Sequence, residues 1–243
     1  MLFRSRGDIK TAQKIVDEAA KKAGYTVGPV YHGGSFNQNI DPVFNVPEGP
    51  VRKNKWQLAF GVHFAETQPE ANVYLKKNGA LQSSYLDSNM FDGISNTILS
   101  EKDLSRWPDS VRKRIDKLNK QWKNENTYAF QVTQALDSMA PAQASQAVIN
   151  AGYTGIKYEA RANIDNKSYR PFTAYLVVGD SSKIKSADLV TYDNVGNIIP
   201  LSQRFNKATP DIRYTQQPGT TTVPLQDLQS NIDSIMGQGW LQQ

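Results

Sequence analysis

One stretch of this 243-residue chain, WQLAFGVHFAETQPEANVYLKK at 56–77, limits what the whole can fold into. Trp56, Leu58, Phe60, Val62 and Phe64 alternate with Gln57, Ala59, Gly61, His63 and Ala65. That period of two is expected of a strand with one buried face. Small residues and one imidazole occupy the other face, as on a strand bordering a cleft. Thr67 and Glu70 then stand at capping-box spacing, with Pro69 in a first turn where its missing N–H is harmless. A helix is therefore expected next, carrying Tyr74 near the cleft mouth. His63 and Tyr74 would face one ligand across this corner.

The flanking sequence supplies a scaffold. Asp8 can cap a helix over 9–23 with a stripe of Ala12, Ile15, Val16, Ala19 and Ala20, ended by Gly24. A strand from Tyr25 to His32 breaks at Gly33-Gly34. Residues 35–55 read as a loop and 80–86 as a strand. Residues 87–147 read as a helical insertion, with helix starts at Ser100 and Pro108 and further helices at 128–139 and 141–150. Within it, VRKRIDKLNKQWK at 111–123 mixes Lys and Arg with Trp122. An amphipathic helix laid on the body is favoured there over a nucleic-acid surface. Strands follow Gly155 and span 174–178. The expected organisation is one domain at 1–214, a linker at 215–223 and an amphipathic C-terminal helix in 224–243. Leu225, Leu228, Ile232, Ile235 and Met236 would share one face of that helix.

Composition removes several chemistries. There is no cysteine, hence no disulfide, no thiolate nucleophile and no cysteine-ligated zinc. With two histidines, a metal site would depend on carboxylates, which show no ligand spacing, so none is expected. No apolar run has the length of a membrane span, and MLFRSRGDIK lacks the apolar core of a secretion signal. A cytoplasmic protein without a membrane partner is expected. The net charge of +5 suits solubility, with nucleic acid an open but less favoured partner.

Several motifs bear a family resemblance. GVHFAETQPEANVY resembles the G-I-Y-F-A-D, spacer, A-x-Y signature of poly(ADP-ribose) polymerase-like and diphtheria-toxin-like ADP-ribosyltransferases, without a gap from Gly61 to Tyr74. Val30-Tyr31-His32-Gly33-Gly34 is similar to the Y-H-G-T or Y-H-G-S signature, with Gly34 in place of the hydroxyl residue. AGYTGIKYEA at 151–160 resembles A-G-Y-D-G-I-x-Y-E-N of the ADP-ribosyltransferase-like domains of phage and mobile-element polyvalent proteins. The text from Lys183 through Asp188 to Pro210-Asp211-Ile212-Arg213-Tyr214 is close to the C-terminal end of those domains. The resemblance covers about 25–90 and 148–214.

The resemblance implies an α+β fold, an ADP-ribosyltransferase-like split antiparallel sheet core with a helical insertion and a C-terminal helix. It implies NAD as substrate, held by His32 and Gly33, with Tyr74 stacked on nicotinamide and His63 lining the pocket where the family often has Tyr. Phe64 and Asn39 are further candidates for cofactor contact. The family's catalytic Glu falls on Ala174, or on Thr173 in a slipped register, so Glu159 on the neighbouring strand is a candidate replacement; a surface role for Glu159 is the alternative. The catalytic candidates are thus His32, His63 and Glu159. The implied activity is mono-ADP-ribosyl transfer from NAD to a protein, a glycosyltransferase reaction in a bacterial cell, encoded or delivered by a phage. Two alternatives stay open: a catalytically inactive binding module, and an NAD-dependent RNA 2′-phosphotransferase-like enzyme, since His32, His63 and an aliphatic third position match that group.

Overall fold

A computed structural model of the chain describes residues 6–34, 43–44, 58, 60–75, 79–163 and 168–213. Asn39, the expected linker and the expected C-terminal helix lie outside the described residues. The described chain is α+β. In order it runs α1 (Arg6–Lys22), β1 (Val27–Gly33), β2 (Val62–Ala65), α2 (Gln68–Asn72), β3 (Leu81–Leu86) and β4 (Met90–Asp92). Helices α3 (Glu101–Ser105), α4 (Asp109–Trp122), α5 (Ala129–Asp137) and α6 (Pro141–Asn150) follow, then β5 (Gly155–Ala162), β6 (Arg170–Val177) and β7 (Ile184–Ser186).

The strands form one seven-stranded mixed sheet in the order β4-β5-β6-β2-β1-β3-β7. Only β4 and β5 run parallel; the other neighbours are antiparallel. The sequence reading placed 90–92 inside the helical insertion, because three residues are too few to display a period. That short strand makes the sheet mixed, where an all-antiparallel pair of small sheets was expected. The join between β1 and β2 is narrow: they register at Tyr31↔Ala65 alone, whereas β2 and β6 register from Val62 to Ala65.

β2 is shorter than the alternation from Trp56 suggests. Gly61 takes φ +70, and a Cβ there would lie 2.5 Å from the Val177 carbonyl oxygen. This left-handed residue turns the chain just before the strand. Leu58 and Phe60 therefore join the core under the helices, while Val62 and Phe64 face the opposite side.

Each sheet face has its own core. On one face, Tyr158, Ala160, Phe172, Ala174 and Leu176 meet Val111 and Ile115 of α4, Val132 and Leu136 of α5, and Val148 of α6. Burying each such aliphatic or aromatic side chain is worth about 1.5–3 kcal/mol. Trp107 ties the insertion down, its ring 5.1 Å from Phe91 and 5.5 Å from Tyr153. On the other face, Val30, Phe64, Tyr175 and Val177 pack with Phe44 and Ile212.

The C-terminal text that most resembles the phage domains works as a strap. Ser186 N–H donates to the Ile212 carbonyl at 2.8 Å, capping the outer edge of β7. The buried ammonium of Lys185 donates to the carbonyls of Thr209 and Asp211 at 2.8 and 2.9 Å. Arg204 donates to the carbonyls of Leu189, Ser186 and Asp188. Among the described residues, no helix is long and apolar enough to cross a membrane.

Candidate functional site

The narrow join between β1 and β2 brings the two histidines together, each from a different face of the sheet. Where backbone pairing stops, the His32 side chain continues it: Nδ1 donates to the His63 carbonyl at 2.8 Å. A carbonyl only accepts, so this bond fixes the His32 proton on Nδ1. The ring packs edge-on against Phe44, centroids 5.2 Å apart, and lies 5.6 Å from Phe64. Burial lowers its pKa, opposed by the His63 carbonyl. Phe64, a cofactor candidate, is 2% exposed and serves as a wall for His32 in that core.

His63 points to the other face, the one covered by the helices, because it pairs with Leu176. Its Nδ1 meets the Tyr158 hydroxyl at 2.7 Å. Burial first, and then the nearby His32, push its pKa down to about 4. The carbonyls of Phe60 and Leu58 lie near enough to oppose that shift. Neither completes a hydrogen bond to Nε2, which is buried without a partner among the described residues. A buried ring nitrogen in that condition is costly unless something else engages it.

Gly33 sits under α2. A Cβ on Gly33 would lie 1.9 Å from the Ala71 carbonyl oxygen, so only glycine lets helix and strand approach this closely. At Gly34, where the family has a hydroxyl residue, a Cβ would lie 2.7 Å from His32 Nε2. Glycine keeps a side chain off that nitrogen. The helix itself begins as expected, with Thr67 N–H donating to Glu70 Oε2 at 3.1 Å. It is shorter than expected, however. Tyr74 lies beyond its end, in a turn tightened by its own N–H to the Ala71 carbonyl at 3.0 Å. The Tyr74 hydroxyl is buried without a partner among the described residues; burial, with a smaller push from Tyr169, raises it to about 12.

Glu159 stands apart from this group. It pairs with Thr173, is exposed, and meets Arg161 at 3.5 Å. Ala174, where the sequence resemblance implies a carboxylate, pairs instead with Tyr158. Alternation along β5 turns Glu159 to the face opposite Tyr158 and His63. Glu159 and His63 thus lie on opposite faces of the sheet. The group beside His63 is Tyr158, which the sequence reading passed over, although Ile156, Tyr158, Ala160 and Ala162 show the buried alternation that marks it. Glu66 was also passed over; burial and this nearby carboxylate raise the Tyr175 phenol to about 12.

No group of three or more metal-ligating side chains occurs among the described residues. A groove of about 440 Å³ lies between α1 and the strap, lined by Ala19, Ala23, Leu201 and Phe205 with Lys22 beside them, away from both histidines. Compared with known proteins, the chain matches no family model, no curated protein and no solved structure.

Proposed function

We propose that the chain is an ADP-ribosyltransferase-type domain that binds NAD at the β1–β2 join and transfers ADP-ribose to a protein acceptor. The observation that supports it is the corner itself: His32 donates to the His63 carbonyl across the β1–β2 join, and Gly33 lies against the Ala71 carbonyl at the end of α2, just before Tyr74. In this reading His32 and Gly33 orient the dinucleotide, the Tyr74 ring stacks on nicotinamide, and His63 lines the pocket. The bond between nicotinamide and the ribose anomeric carbon breaks, the acceptor nucleophile attacks that carbon, and the acceptor's proton leaves to solvent. The finer fold assignment, an ADP-ribosyltransferase-like core, belongs to the same proposal, as does a bacterial cytoplasmic setting with phage origin.

With Ala174 in place of a carboxylate, stabilisation of the cationic transition state is weak, and loss of one such group costs about 100- to 1,000-fold in rate. Turnover is therefore slow and stops at a single ADP-ribose. A second reading, an NAD-binding module without turnover, is favoured by the exposure of Glu159 away from His63. Calorimetric titration with NAD, paired with nicotinamide release in a bacterial lysate, separates them. Binding with release that depends on His32, tested by His32→Ala, supports the transferase. Binding without release supports the module, and absence of binding ends both.

A further inference from the structure

We infer that Tyr158 is a positioning residue for His63, set in the space left by the small side chain of Ala174, an assignment that rests on the NAD reading for its function. β6 runs between β5 and β2, and register places Tyr158, Ala174 and Ala65 in one row. Both alanines are buried, at 2% and 4% exposure. Over them the phenol of Tyr158 crosses β6 and reaches His63 Nδ1 at 2.7 Å. The two rings meet edge-on, centroids 5.9 Å apart. A longer side chain at 174 would stand in that path.

The contact fixes the imidazole. In this assignment the Tyr158 hydroxyl donates and His63 Nδ1 accepts. His63 then keeps its proton on Nε2, the nitrogen buried without a partner among the described residues. A donor of this kind suits a ligand oxygen, such as a carboxamide or ribose oxygen of NAD. It supplies no negative charge to the ribosyl cation. Tyr158 therefore acts on binding through His63 more than on departure of nicotinamide.

The chain has two histidines, so nitrogen NMR resolves both rings without labelling by residue type. The wild-type spectrum is expected to show His63 with bare Nδ1 and protonated Nε2; the reverse tautomer overturns the assignment. Tyr158→Phe keeps the ring in the core and deletes the hydroxyl. It is expected to release His63 into mixed tautomers and weaken NAD binding about tenfold, the scale of one hydrogen bond, with KM moving more than kcat. A folded Tyr158→Phe protein with an unchanged His63 tautomer overturns the assignment, and should that variant not fold, the wild-type tautomer alone decides. Failure of the wild-type protein to bind NAD defeats the proposed function while the tautomer result stands, so the two failures are distinguishable.

Discussion

At the residue scale, the two imidazoles make stability depend on pH. His63 titrates near 4 in the folded chain, and an unfolded histidine near 6.5. As pH falls through 6.5 the unfolded state takes up the proton first, so stability is complete above that value and is lost progressively toward pH 4. The loss is on the order of 2–3 kcal/mol. His32, also lowered by burial, acts in the same direction. Urea unfolding at pH 7 and pH 5 is expected to show a drop in midpoint that shrinks in His63→Gln; the pH 5 limit keeps most carboxylates ionised. Gly33→Ala probes close approach instead. Its Cβ would press on the Ala71 carbonyl, and overpacking of this kind costs about 1–3 kcal/mol, readable as a lowered thermal midpoint. Both glycine and histidine stood out in the sequence, because residue type alone marked them. Tyr158 did not, since its importance depends on which residue of β6 lies beside it.

At the element scale, local signals served well and distant ones did not. The start of α3 was legible because its determinants are three residues apart: Ser100 Oγ accepts from Asp103 N–H at 3.2 Å and Ser100 N–H donates to Asp103 Oδ2 at 3.0 Å. The basic helix α4 also lies as its stripe suggested, with Val111 and Ile115 fully buried. β4 and β7, three residues each, carry too little periodicity to be seen and exist because a neighbour pairs with them. The role of Trp107 was equally hidden. At 1% exposure it fills the gap between the insertion and the sheet. Trp107→Ala is expected to cost about 3–5 kcal/mol in urea unfolding. The guanidinium of Arg106, 4.2 Å from the Tyr153 ring centre, covers the same aromatic group from outside.

At the scale of the whole molecule, a buried ammonium ties the strap to the edge of the sheet. Lys185→Met leaves the carbonyls of Thr209 and Asp211 without their donor, at about 1–3 kcal/mol for each buried acceptor. Limited proteolysis is expected to cut that variant within 204–213 while the sheet survives, because the ammonium bonds that tie this segment to β7 are gone and the strand pairing is untouched. The single-pair join of β1 and β2 has a further consequence. It divides the strands into two ribbons, β4-β5-β6-β2 and β1-β3-β7, fastened at Tyr31↔Ala65 and by the His32 bond to the next strand. Each ribbon is internally well paired, and across the boundary the two are held together chiefly by the shared apolar core of Val30, Leu86, Phe64 and Val177. Amide hydrogens beside this sparsely bonded boundary are expected to exchange faster than those inside either ribbon, and a ligand seated there would slow exchange on both sides at once.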